Sequence, residues 1–165
     1  MTQEDEALPH FDVARPIELH RVCKTIYTDL SGIGAAKFPG RWNREGQRAV
    51  YTATSRALAL TESLVHLREP KGYSMLTITL KGRADLVTLR RSLTHAQYWF
   101  DMVGKALSEH PEDPIAFVVP SVIVPEYNVV LYPRPKDFEP EFVSITAIEA
   151  FEFDPRLLEG RPTTV

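Results

Sequence analysis

Between Gly40 and Glu62 the chain reads GRWNREGQRAVYTATSRALALTE and carries three side chains that packing does not require: Arg41, Tyr51 and Glu62. A guanidinium presents planar, paired donors that match a phosphate or a carboxylate. Arg41 follows Gly40, in a loop where backbone can come close to a ligand. Tyr51 stands between Ala49 and Ala53 on one face of a strand, and two small neighbours leave room for a flat group against the ring. On a helical wheel Glu62 falls about 40° from Leu58 and about 60° from Val65, at the edge of the apolar stripe and not opposite it. A carboxylate there is partly desolvated unless it lines a cleft. Each has an ordinary structural reading too: a surface ion pair for Arg41, a core ring for Tyr51, a structural ion pair for Glu62. Ser121, after Pro120, and Asn128, before an apolar run, either serve turns or face a pocket.

The elements that must position these groups follow from periodicity. Alternation predicts strands at 17–23, 48–53, 74–80, 85–89, 115–119, 121–124, 129–132 and 142–148, with 151–153 as a possible extension of the last. Ser55 is a good N-cap for a helix over 56–67, in which Ala57, Leu60, Leu64 and Leu67 recur at helical spacing. A second helix is expected over 94–108, and a glycine-rich loop over 30–40. Short strands and two helices, not in strict alternation, predict an α+β fold. Residues 1–16 read as a flexible lead-in, 17–158 as one domain and 159–165 as a polar tail.

Several chemistries drop out. No GxGxxG follows a strand, no glycine-rich loop ends in GK[ST], and no GxSxG elbow occurs. The five histidines are scattered, so no metal site is indicated. A net charge of −3 argues against a general binder of nucleic acid or anionic membrane. The single Cys23 allows no internal disulfide and sits in an alternating run, as a small buried residue would. No apolar run approaches the roughly 20 residues of a membrane helix, and MTQEDEALPH lacks the apolar segment of a signal peptide. A cytoplasmic protein is expected.

The ordered set HRVCK, SGIGAAKFPGRWNREGQRAVYTATSRALALTESLVHL, VPSVIVPEYNVVLYP and FEFDPRL resembles the RES domain family over roughly residues 19–158. On that pattern Arg41, Tyr51, Glu62 and Ser121 fall on active-site positions, and Arg21 on a further basic position. Val130-Leu131-Tyr132-Pro133 departs from the Leu-Asn-Pro common in the family, which leaves Asn128 the better-supported contact. The resemblance implies an ADP-ribosyltransferase-like split sheet holding NAD+ in a cleft without a dinucleotide-binding motif. It implies a toxin that degrades NAD+, by phosphorolysis or hydrolysis, paired with an Xre-like antitoxin. NAD+ would be substrate, with inorganic phosphate as a possible co-substrate and no resident cofactor. Arg21, Arg41, Tyr51 and Asn128 would bind it. A protein-modifying ADP-ribosyltransferase and a non-enzymatic NAD-binding module are the alternatives, and a homodimer is compatible with either.

Overall fold

The computed structural model describes residues 15–67, 69–81, 85–88, 115–133 and 143–159. Its strands are β1 (Ile17–Lys24), β2 (Val50–Ala53), β3 (Tyr73–Leu80), β4 (Asp85–Thr88), β5 (Ile115–Pro120), β6 (Tyr127–Tyr132) and β7 (Val143–Phe151). Two helices, α1 (Ile33–Lys37) and α2 (Arg56–Val65), lie between β1 and β3. The strands form one sheet in the order β4-β5-β6-β2-β1-β3-β7. The β4–β5 pair is parallel and the other neighbours are antiparallel. The expected helix over 94–108, the lead-in up to residue 14 and the tail from 160 lie outside the described residues.

The sheet is split. β1 pairs with β3 along its whole length, from Ile17↔Leu80 to Lys24↔Tyr73, and β2 pairs with β6 from Val50↔Leu131 to Ala53↔Asn128. Between these two halves, β1 and β2 are joined only at His20↔Ala53. The expected α+β split-sheet architecture is therefore the one observed.

Alternation decides which side chains meet. Leu19, Cys23, Val50, Leu76, Ile78, Val118, Val129 and Leu131 all turn to one face and make the main core. Their sequence neighbours turn to the other face, where α2 packs. There Ala53, Leu58, Ala59 and Met75 form a smaller cluster with Val22, Val124 and Phe151. Ser55 caps α2, its hydroxyl accepting from the Leu58 N–H at 3.1 Å. Burying one leucine such as Leu58 stabilises by about 1.5–3 kcal/mol, which fixes the helix on the sheet.

Three local expectations are corrected. The glycine-rich loop over 30–40 contains the short helix α1, which starts after Gly32 in a left-handed conformation, φ 67°. The β-branched run 121–124 is not a strand but a bend, because Ser121 Oγ accepts from the N–H groups of Ile123 and Val124 at 3.1 and 3.3 Å. At the C-terminal end the strand β7 runs on to Phe151 and stops there, so the expected extension over 151–153 is strand only at its first residue.

Candidate functional site

Arg41 is exposed in a turn, and among the described residues no hydrogen bond or ion pair holds its side chain. The backbone around it is held firmly. The Gly40 N–H donates to Asn43 Oδ1 at 2.9 Å, and the Trp42 N–H donates to the Tyr51 hydroxyl at 3.0 Å. Tyr51 in turn donates to Asn43 Oδ1 at 2.8 Å. The Tyr132 hydroxyl donates to the Trp42 carbonyl at 2.5 Å. The amide of Asn43, 1% exposed, donates to the carbonyls of Ala35, Arg44 and Gln47 at 2.8, 3.1 and 3.0 Å. Burial pushes the Tyr51 phenol up to about 12, against a smaller opposing pull from the Trp42 N–H. The phenol therefore stays protonated and able to donate. The Tyr51 hydroxyl is engaged with the loop that bears Arg41, a link that residue types alone did not suggest.

Glu62 is half-buried on α2, and its Oε1 accepts from Asn128 Nδ2 at 2.5 Å. Because a carboxylate only accepts, this bond fixes the amide's orientation and turns Asn128 Oδ1 the other way. That oxygen is buried and has no hydrogen-bond partner among the described residues. Glu62 makes no ion pair with another described residue, so its charge is held by an amide dipole and is not cancelled. Asn128, expected in a turn, lies in β6 opposite Ala53 of β2 and Val119 of β5.

Register brings these groups together. Tyr51 and Ala53 are two apart on β2 and share a face, roughly 7 Å apart at strand rise. Asn128 lies beside Ala53 on that face, so the Arg41 loop over Tyr51 and the Glu62–Asn128 pair are neighbours. Ser121, 2% exposed, follows Val119, the β5 partner of Asn128, by two residues. Its N–H donates to the Glu126 carbonyl at 2.9 Å, and its Oγ organises the 121–124 bend.

Arg21 is not brought to this cluster. It lies between Leu19 and Cys23 in the alternation of β1, on the main-core face, and its guanidinium donates to the Asp29 carbonyl at 3.1 Å. The residue of β1 that does face the cluster is its neighbour His20, at the Ala53 pairing position. His20 is 6% exposed, its Nε2 stands 3.3 Å from Glu18 Oε1, and its Nδ1 is buried without a partner among the described residues. Burial lowers its pKa below the usual imidazole value, against the pull of Glu18. Cys23 is buried as expected, and burial raises its thiol, so it makes a poor nucleophile. Asn43 and His20 escaped the sequence reading. An Asn among glycines reads as a turn residue, and His20 was overshadowed by the charge of Arg21. Among the described residues, no group of three metal-ligating side chains converges, and no helix is long and apolar enough to cross a membrane.

A split-sheet α+β domain with an exposed Arg and an unpaired Glu on neighbouring parts of one face defines the class. The RES domain model matches residues 18–154, and the chain belongs to the RES domain family. It is 34% identical over 152 residues to Toxin Res of Yersinia enterocolitica, covering 84% of this chain and 98% of that protein. It is 30% identical over 150 residues to the Prs ADP-ribosylating toxin of a Sphingobium species, covering 79% of this chain and 87% of that one. The toxin–antitoxin complex MbcT–MbcA of M. tuberculosis contains a chain of the same fold, with a TM-score of 0.66 at 17% identity and 88% coverage of both chains.

Proposed function

We propose that this protein is the toxin of a toxin–antitoxin pair and that it depletes NAD+ by breaking the bond between nicotinamide and ribose. The observation that carries the reading is Glu62: a half-buried carboxylate, bound by the neutral Asn128 amide and by no described cation. Such a group is suited to a positive charge that appears only during reaction. When the glycosidic bond of NAD+ breaks, its electron pair leaves with nicotinamide, which departs neutral and needs no general acid. Positive charge builds on the ribose as in other glycosidic transition states. Glu62 stabilises that charge and Asn128 keeps the carboxylate aimed. Arg41 binds the pyrophosphate or, in phosphorolysis, the attacking phosphate. Tyr51 holds the Arg41 loop, and Ser121 shapes the bend at the neighbouring end of the face. An acceptor oxygen, from phosphate or water, bonds to the ribose carbon. In hydrolysis, a water proton passes to solvent. NAD+ is substrate, and the chemistry calls for no resident cofactor.

The name of the Sphingobium relative supports a second reading, transfer of ADP-ribose to a protein. The same cleavage step serves it, with a side chain as acceptor. Relatives named as toxins and a fold shared with a toxin–antitoxin complex support a toxin restrained by a protein antitoxin; that the antitoxin is Xre-like and the toxin cytoplasmic are parts of the same proposal. Purified protein incubated with labelled NAD+, with and without phosphate, separates the acceptors. ADP-ribose phosphate formed only with phosphate marks a phosphorylase, and free ADP-ribose a hydrolase. Label on a protein band marks a transferase, and intact NAD+ in every tube refutes the enzymatic reading.

A further inference from the structure

We propose that Asn43 is a positioning residue that presets Arg41 as an anion clamp, with the hydroxyls of Tyr51 and Tyr132 as its supports. This deepens the reading above and rests on Arg41 as the group that binds the phosphates of NAD+. A guanidinium on a long, exposed side chain loses affinity to its own freedom unless its anchor is fixed. The anchor of Arg41 is fixed on both sides. Ahead of it the Gly40 N–H is held by Asn43 Oδ1; behind it the Trp42 N–H is held by Tyr51 and the Trp42 carbonyl by Tyr132. The supports come from β2 and β6, the two strands that also carry Ala53 and Asn128, so the loop is referenced to the same backbone as the Glu62–Asn128 pair.

Only an asparagine fits the hub. One oxygen accepts from Gly40 and Tyr51, while the two N–H bonds of the amide are shared among three carbonyls. Aspartate would set an acceptor against the carbonyls of Ala35, Arg44 and Gln47. The fit is also close from the other side. A Cβ on Gly40 would lie 2.6 Å from the Tyr51 hydroxyl oxygen and 2.9 Å from its ring carbon. The loop therefore rests directly on the ring.

The test is a double-mutant cycle with Arg41→Ala, read as the Kd of ADP-ribose by calorimetry and as KM and kcat for NAD+. Asn43→Ala and, as the milder change, Tyr132→Phe are the partner substitutions. Tyr132→Phe keeps the buried ring against Phe117 and removes only the hydroxyl, so it carries the cycle if Asn43→Ala fails to fold. We expect each to raise Kd and KM about tenfold in the wild-type background with kcat within about twofold, the pattern of lost uniform binding. In the Arg41→Ala background neither should have further effect, because no guanidinium is left to position. An equal effect of Asn43→Ala in both backgrounds, or none in the folded variant, overturns the role of Asn43; the same result with Tyr132→Phe overturns the preset anchor that Asn43 and Tyr132 are proposed to share. If Arg41→Ala binds ADP-ribose as wild type does, or wild type does not bind it, the assignment of Arg41 fails first and this inference with it.

Discussion

Replacing Asn128 by alanine separates what the Glu62–Asn128 bond does for stability from what it does for reaction. The substitution removes one short hydrogen bond to a carboxylate, 2.5 Å long. Such a charge-assisted bond contributes about 1.5–3 kcal/mol. It also removes Oδ1, a buried acceptor without a partner among the described residues, whose presence costs about 1–3 kcal/mol. The two changes oppose each other, so net stability shifts by less than about 2 kcal/mol. At about 2–4 °C per kcal/mol for a chain of this size, the melting temperature moves by less than about 8 °C. No such offset operates on catalysis. If the bond's full value orients Glu62 in the transition state, its loss lowers kcat by about 10- to 150-fold. The assay is nicotinamide release at saturating NAD+, with melting followed on the same samples. A folded Asn128→Ala protein with wild-type kcat would refute the orienting role.

Other outcomes follow from the same geometry. Gly32→Ala places a Cβ 2.8 Å from the Ala49 nitrogen at a φ of 67°, so it should destabilise by more than about 1 kcal/mol, read as a lower melting temperature. His20 titrates below its unfolded value of 6.5, so the unfolded chain binds a proton that the native chain refuses. Stability should therefore be full above that value and fall as pH drops through the lower native pKa. His20→Phe should flatten this acid limb in melting curves taken between about pH 5 and 8.

What the sequence made legible and what it hid have separate physical causes. The strand at Ile17 and the helix after Ser55 were readable because alternation, an N-cap and a 3.6-residue stripe are local properties. Glu62 was readable for the same reason, since its place on the helical wheel needs no tertiary information. The identity of the β1 residue that faces the site was not. A strand flips faces at every residue, and Arg21 and His20 differ by one. Only pairing with Ala53 shows that His20 looks toward Asn128. The run after Pro120 misled because β-branched residues suit a strand, while a single hydroxyl turns the chain there. The hub at Asn43 was invisible because its partners, from Ala35 to Tyr51, are assembled by folding.

The central claim is that the Glu62 carboxylate drives cleavage of the nicotinamide–ribose bond. Its most direct test is nicotinamide release from NAD+ by wild type and by Glu62→Gln, at equal concentrations of folded protein. Glutamine keeps the size and can still accept from Asn128 Nδ2, so only the charge is lost. Loss of one electrostatic stabiliser lowers kcat by about 100- to 1000-fold. That fall, with binding of ADP-ribose preserved, is the expected result. Equal nicotinamide release by the two proteins would contradict the claim.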